Sequence, residues 1–306
     1  MTPFPSATHS PTINIIGCGK VGKTLGHLWQ QAGIFRLGGI LNRTPASSAE
    51  AVTFMQAGQA VTDMAELPAA EVFLLGCADN HLAACCTELV ASRVLQAGNS
   101  VFHCSGALSS ALLEPARAIG AHIASIHPVK SFADPRQAVQ DFAGTFCGME
   151  GDTAALAVLE TAFTRIGARC FPLNAEHKTL YHTASVIACN YLVALQEVSL
   201  QTFAQAGVER ELAMQILQPI VAGTVSNIFR LDTAQALTGP IARGDHTVVA
   251  QQIAALEAWR GDHAALYRLL GQVAVELSRQ QGHAQTGDLQ TLQQLLAIEA
   301  FTKLTG

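Results

Sequence analysis

Several groups of residues in this 306-residue chain have the types and spacing to do chemistry. The first is Gly17-Cys18-Gly19-Lys20-Val21-Gly22, which directly follows the short β-branched run Ile13-Asn14-Ile15-Ile16. A strand, a G-x-G-x-x-G turn and a helix, in that order, form a site for the pyrophosphate of a dinucleotide. Gly17 permits the tight turn, Gly19 lets phosphate approach the backbone, and Gly22 lets the helix pack on the sheet. The helix N-terminus then offers unpaired N–H groups to the anion. The second group, Asn42-Arg43-Thr44, closes the next apolar run, Leu37 to Leu41. A site for NAD usually places a carboxylate there to bind the ribose 2′-hydroxyl. Here no carboxylate occurs until Glu50, and a guanidinium beside a hydroxyl suits a 2′-phosphate. The expected cofactor is therefore NADP(H), with Cys77 and Ala78, at the end of a further buried strand, among its contacts.

Ser105 and His127 each follow a strand, at what should be the carboxyl end of the sheet, where doubly wound folds bind ligands. Ser105 is expected to hydrogen-bond nicotinamide or substrate, and His127 to contact substrate. The remaining candidates lie on helices. From Asn174 to about Ala206 the chain lacks Pro and Gly and predicts one long helix. Leu180, Ala184, Ile187, Tyr191, Ala194 and Val198 form an apolar stripe along it. Lys178, His182, Ser185 and Cys189 gather on the opposite side, within about 60° of one another. His182 is the expected catalytic acid or base, with Lys178 the competing choice. Asn190, roughly 80° round the wheel, is expected to hydrogen-bond substrate. Arg243, in the loop Thr238 to Asp245, is either an exposed turn residue ahead of an Asp245 cap or a clamp for a carboxylate. No Cys/His cluster has ligand spacing, so no metal site is expected.

These residues need elements to hold them. Apolar runs at residues 13–16, 37–41, 71–77, 101–104, 122–126, 144–149 and 168–173 alternate with helix-period segments, and Asp79 is placed to cap the helix through Leu89. Strands spaced by helices predict an α/β fold, a doubly wound, mostly parallel sheet with helices on both faces. After Leu173 the strand signals stop. The expected organisation is a loose tail over residues 1–11, a dinucleotide-binding domain over 12–173 and an all-helical domain over 174–306, ending in a helix from Leu289 to Phe301. Composition agrees: 49% apolar and 13% charged residues exclude disorder for most of the length. A net charge of −5 argues against a nucleic-acid surface. No uninterrupted apolar run approaches the roughly 18 residues of a spanning helix, so no membrane partner is expected. The eight cysteines form no CxxC pair and most sit in apolar runs, usage that suits the cytoplasm. So little charge leaves much apolar surface to cover, and a homodimer through the helical domain would cover it.

One combination of motifs is distinctive: the GCGKVG turn, Asn42-Arg43-Thr44, His103-Cys104-Ser105-Gly106-Ala107 and His127-Pro128-Val129-Lys130-Ser131-Phe132. Tyr181-His182-Thr183-Ala184-Ser185 leading to Asn190-Tyr191, and Gly239-Pro240 with Arg243-Gly244-Asp245, complete it. With these the chain resembles the Rossmann-like NADP oxidoreductases that carry a C-terminal helical domain of unknown function. Those are distant relatives of pyrroline-5-carboxylate reductase and of the 6-phosphogluconate and β-hydroxyacid dehydrogenases. The resemblance runs from Ile13 to about Gln280. It implies a helical domain that often dimerises and a substrate cleft between the domains, but supplies no reaction. The Lys-xxx-Asn pair of the hydroxyacid dehydrogenases is not reproduced, since His182 stands four residues after Lys178. The Ser/Gly/Pro-rich helix start of the pyrroline carboxylate reductases is also missing. The function expected is hydride transfer between NADP(H) and a small anionic metabolite with C=O or C=N. Two alternatives stand beside it, a non-catalytic dinucleotide sensor on the same scaffold and a deazaflavin-linked reductase.

Overall fold

The computed structural model describes residues 10–298. They form two compact units, which divide between Cys189 and Asn190. The first unit alternates strands and helices: β1 (Thr12–Ile16), α1 (Lys20–Gln31), β2 (Arg36–Leu41), α2 (Pro45–Met55), β3 (Gln59–Val61), β4 (Val72–Leu75), α3 (Leu82–Ala91) and β5 (Ser100–His103). It continues through α4 (Glu114–Ala118), β6 (His122–Pro128), α5 (Pro135–Gln140), β7 (Phe146–Gly151), α6 (Thr153–Arg165), β8 (Arg169–Pro172) and α7 (Lys178–Ser185). The second unit holds α8 (Tyr191–Gln205), α9 (Arg210–Leu231), α10 (Thr233–Ala236), α11 (His246–Glu257), α12 (Gly261–Gln281) and α13 (Thr286–Leu295).

The eight strands form one sheet in the order β3-β2-β1-β4-β5-β6-β7-β8. All neighbours are parallel except β6 and β7. The order runs outward in opposite directions from β1 and β4, which makes the crevice beyond their carboxyl ends the topological switch point. Helices cover both faces because the strands are apolar on both: β1, β4 and β5 are buried at every position. One core packs Trp29 edge-on against Phe35, Phe102 and Phe163, and the indole N–H donates to the Ala162 carbonyl at 3.2 Å. Burying each such side chain stabilises the unit by about 1.5–3 kcal/mol before entropy is counted. The other face packs Phe73, Leu75, Leu89 and Val101. Asn14, the polar residue inside β1, is satisfied by the Gly39 N–H at 2.7 Å and the Pro68 carbonyl at 2.8 Å.

The first unit continues beyond the expected boundary at Leu173. A short 3-10 turn, Ala175–His177, capped by the Asn174 side chain, leads into α7. Lys178, at the start of α7, is only 1% exposed, which anchors the helix to the sheet. The long helix predicted from Asn174 is therefore segmented, with a π-helical stretch, Val186–Asn190, between α7 and α8. In the second unit α11, α12 and α13 close on a core of Val249, Ile253, Val275, Leu289 and Leu292. Asp245 caps α11 as expected, accepting from the Val248 N–H at 3.1 Å. The predicted last helix runs from Thr286 to Leu295, so it starts before Leu289 and stops short of the expected Phe301; Phe301 itself, and most of the residue 1–11 tail, lie outside the described residues.

Candidate active site

The glycine turn sits at the switch point. Gly17 has φ +81°, and a Cβ there would stand 2.7 Å from the Cys77 Cα, so only glycine fits between the ends of β1 and β4. Gly19 is the N-cap of α1 and has open space where its side chain would be. No side chain caps this helix and none in its first turn is acidic, so the first N–H groups face an anion site without a competitor. Cys18 is 2% exposed and burial pushes its thiol up to about 12, so it offers a ligand only its backbone. Val21 packs on the core, while Lys20 is exposed.

This turn opens on a cavity of about 740 Å³, lined also by Asn42, Arg43, Thr44, Ser47, Cys77 and Ala78. Asn42 organises the end of β2, with Nδ2 donating to the Ser47 carbonyl at 2.9 Å and to the Cys18 carbonyl at 3.5 Å. Thr44 caps α2 by accepting from the Ser47 N–H at 3.3 Å. Arg43, between them, is exposed on the cavity rim. Glu50, the first carboxylate after β2, is held by the Lys23 ammonium at 2.7 Å.

A second constellation forms where β5, β6 and β7 meet α7. His103 is fully buried; its Nδ1 accepts the Ser105 N–H at 3.2 Å, which leaves Nε2–H to donate to the Ser109 carbonyl at 3.3 Å. Burial, reinforced by the nearby Lys178 charge, depresses this imidazole to about 4, so it is neutral. Ser105 donates its hydroxyl to Asp79 at 2.8 Å and accepts the N–H groups of Ala107 and Leu108. Asp79 thus does not cap the helix that ends near Leu89, as its position suggested. It begins a 3-10 turn, and the Ser105 hydroxyl holds its carboxylate.

Lys178 reaches into the sheet to bond Ser125 Oγ and lies 3.4 Å from Glu150 Oε1. The Glu150 carboxylate, 5% exposed, also accepts the Ser110 N–H at 2.8 Å and its hydroxyl at 2.6 Å. Burial lowers the Lys178 pKa, and the adjacent Glu150 opposes that shift. Above this buried pair, His127 Nδ1 lies 3.0 Å from the Tyr181 hydroxyl, and the His127 and His182 rings stand edge to face at 5.7 Å. Gly106 makes room for both imidazoles, since a Cβ there would lie 2.5 Å from His182 Nδ1 and 2.8 Å from His127 Nε2. His182 Nδ1 is buried and has no partner among the described residues. Burial, then the His182 and Lys178 neighbours, lower His127 to about 4, and burial raises Tyr181 to about 12. Both groups are therefore neutral at pH 7, and their hydrogen bond can run either way, the Tyr181 hydroxyl donating to Nδ1 or Nδ1–H donating to the phenol oxygen, according to the tautomer.

Of the residues singled out in the sequence, Ser105, His127, Lys178 and His182 come together here. Asn190 and Arg243 belong to the second unit, where both are exposed. Tyr181, Ser125 and Glu150 carried no assigned role, and Asp79 only that of a helix cap. For Glu150 a signal existed: a carboxylate ending the apolar run Cys147-Gly148-Met149 must find a partner if that strand is buried. The helix wheel holds in reverse of the usual polarity. Its polar row includes the buried Lys178, while Leu180, Ile187 and Tyr191 of the apolar stripe are exposed. With Arg210–Leu231, the stretch Ala175–Gln205 is long and apolar enough to cross a membrane by length and composition, with mean hydropathies of 1.3 and 1.2. Neither stretch holds an uninterrupted apolar run of that length: scattered polar residues break each run without lowering the helix-long average below the threshold.

Residues 7–128 match the Rossmann-like domain, and residues 145–274 match DUF2520, a domain of unknown function. Among solved structures, the chain is similar to protein TM1727 from Thermotoga maritima, at 26% identity and a TM-score of 0.71, over 88% of this chain and 99% of that one. BF3122 from Bacteroides fragilis, a candidate NADP oxidoreductase, matches at 21% identity and a TM-score of 0.68, over 90% and 98%. An imine reductase from Myxococcus stipitatus in complex with NADP+ matches at 17% identity and 0.62, over 92% and 99%. No curated protein matches the chain. The chain is thus a Rossmann-like domain joined to a DUF2520 domain.

Proposed function

We propose that this protein is an NADP(H)-dependent oxidoreductase that reduces, or forms by oxidation, a C=O or C=N bond in a small anionic metabolite. The observation that carries the proposal is the cradle at the β1–β4 switch point. It combines an uncapped helix start behind Gly17 and Gly19 with a cavity whose β2 side offers Arg43, Thr44 and Ser47 in place of a free carboxylate. That donor set suits a pyrophosphate at the helix and a 2′-phosphate at the arginine. The imine reductase with NADP+ shares the fold, which supports the same cofactor class.

Bound there, the cofactor would supply hydride, and the protein must supply binding, orientation and the proton. In this reading Ser105, pinned by Asp79, orients the nicotinamide end or the substrate. Tyr181 and His127 hold the proton at the phenol oxygen or the imidazole, and His182 presents a second imidazole on the same side. Lys178, spent on Ser125 and Glu150, acts as a positioning residue that seats α7. Asn190 and Arg243 are assigned to the substrate, Arg243 as the carboxylate clamp.

A second copy of the chain covers the apolar side chains that the second unit exposes, among them Val193 at 71% and Phe229 at 87%. Light scattering should give a dimer mass without detergent; a monomer at micromolar concentration, or a requirement for detergent, contradicts this. The catalytic reading is tested by NADPH consumption across 2-keto acids and cyclic imines. Tyr181→Phe should cost about 10²–10⁴-fold in kcat for the substrate found, with NADPH affinity retained. Tight NADPH binding with no turnover on any of them would favour a sensor.

A further inference from the structure

Lys23 also lines the dinucleotide cavity, together with Gly19, Arg43, Thr44 and Ser47. It stands one turn into α1, where its backbone N–H donates to the Gly19 carbonyl at 2.9 Å. The helix that presents the glycine cradle thus also fixes the root of this side chain. The ammonium crosses to α2 and meets Glu50 Oε1 at 2.7 Å. The two partners are unequal, since the Lys23 side chain is 15% exposed and that of Glu50 is 71% exposed. Glu50 lines a neighbouring cavity of about 620 Å³, over α1, α2 and α5, with His27, Thr53 and Arg136. The ion pair therefore bridges the two spaces, with the ammonium on the dinucleotide side.

An ion pair with so exposed a carboxylate holds weakly, because water solvates Glu50 nearly as well once its partner leaves. A phosphate ester carries about −1.5 to −2 charge at pH 7 and three acceptor oxygens, so it attracts an ammonium more strongly than a carboxylate does. Arg43 stands exposed on the rim, where salt screens its charge, whereas the sheltered Lys23 is screened less. The lysine stem is flexible, so the ammonium can turn without any movement of α1.

We propose that Lys23 is a second, specificity-determining cation for the adenosine 2′-phosphate, exchanging from Glu50 to the phosphate when NADPH binds. The assignment rests on the cofactor reading given above. A 2′-hydroxyl is uncharged and does not draw the ammonium away, so the exchange favours NADPH over NADH. Lys23 also keeps the Glu50 carboxylate from the ribose hydroxyls that a free acidic residue would bind in an NAD site. One partner replaces another, so the net gain is a few-fold and smaller than the full worth of a new charge-assisted contact.

The test titrates two probes calorimetrically into the full chain: 2′,5′-ADP, which carries the 2′-phosphate without the nicotinamide, and 5′-AMP, which lacks it. Lys23→Met should weaken 2′,5′-ADP by about fivefold and leave 5′-AMP within about twofold. Glu50→Gln should tighten 2′,5′-ADP by about threefold, because the competing partner is gone. In the Lys23→Met background the same Glu50→Gln change should no longer tighten binding, since no ammonium remains to be released. A 2′,5′-ADP affinity indifferent to Lys23→Met, or a loss shared equally by 5′-AMP, overturns the assignment and leaves the cofactor proposal standing. A Glu50→Gln effect that persists without Lys23 is plain repulsion and overturns the exchange. A wild-type chain that binds 2′,5′-ADP no better than 5′-AMP overturns the NADP(H) reading and this assignment together.

Discussion

Replacing Lys178 by methionine should destabilise the first unit by about 3–5 kcal/mol, the cost of stranding a buried charge by removing its partner. The magnitude follows from burial: Lys178 and Glu150 are 1% and 5% exposed, so water cannot take over the solvation of the remaining carboxylate. The two hydrogen bonds from Ser110 persist and keep the cost from rising further. Adding Glu150→Gln removes the charge while keeping an oxygen for the Ser110 N–H, so the double variant should recover about half the loss. The chain carries one tryptophan in each unit, Trp29 fully buried in the first and Trp259 in the second. Urea unfolding followed by fluorescence in a Trp259→Phe background therefore reports the first unit alone. A variant within about 1 kcal/mol of wild type would refute the buried ion pair.

Two further outcomes follow from the same neighbourhood. Gly106→Ala should displace the His127 and His182 rings, costing about 1–3 kcal/mol by overpacking and most of the turnover; calorimetry should find NADPH affinity unchanged. A destabilised variant with full activity would remove the imidazoles from the mechanism. His103 stays neutral in the folded chain down to about pH 4, whereas an unfolded imidazole protonates near its ordinary value of 6.5. As pH falls the unfolded state takes up the proton first, so this residue's contribution is complete above about pH 6.5 and lost progressively towards about pH 4. The loss should reach about 3 kcal/mol, and urea midpoints of His103→Gln should be flatter across that window. An unchanged slope would show that His103 is solvated.

What could be read in the sequence divides along the range of the interactions. The glycine turn was legible because its constraints are local: a positive φ at Gly17 and an uncapped helix start are properties of six adjacent residues. The Lys178 and His182 row was legible because helical period places residues on one face whatever lies opposite. Its partners were not. Lys178 meets Ser125 and Glu150 from β6 and β7, and nothing in helical period encodes which strand ends lie beneath. Asp79 misled for a physical reason: an acidic residue between a strand and a helix has the signature of a cap, but the Ser105 hydroxyl, far along the chain, held the carboxylate instead. The domain boundary moved for the same cause. Residues 174–189 are helical in pattern but belong to the first unit, to which the buried Lys178 anchors them.

The most direct test of the account is calorimetric titration of NADPH and NADH into the wild-type chain and into Arg43→Ala. NADPH should bind more tightly than NADH by about tenfold or more, the worth of one charge-assisted contact of about 1.5–3 kcal/mol. Arg43→Ala should remove most of that difference while leaving NADH binding near its original strength. Failure of both nucleotides to bind, or a preference for NADPH that survives loss of the guanidinium, would contradict it.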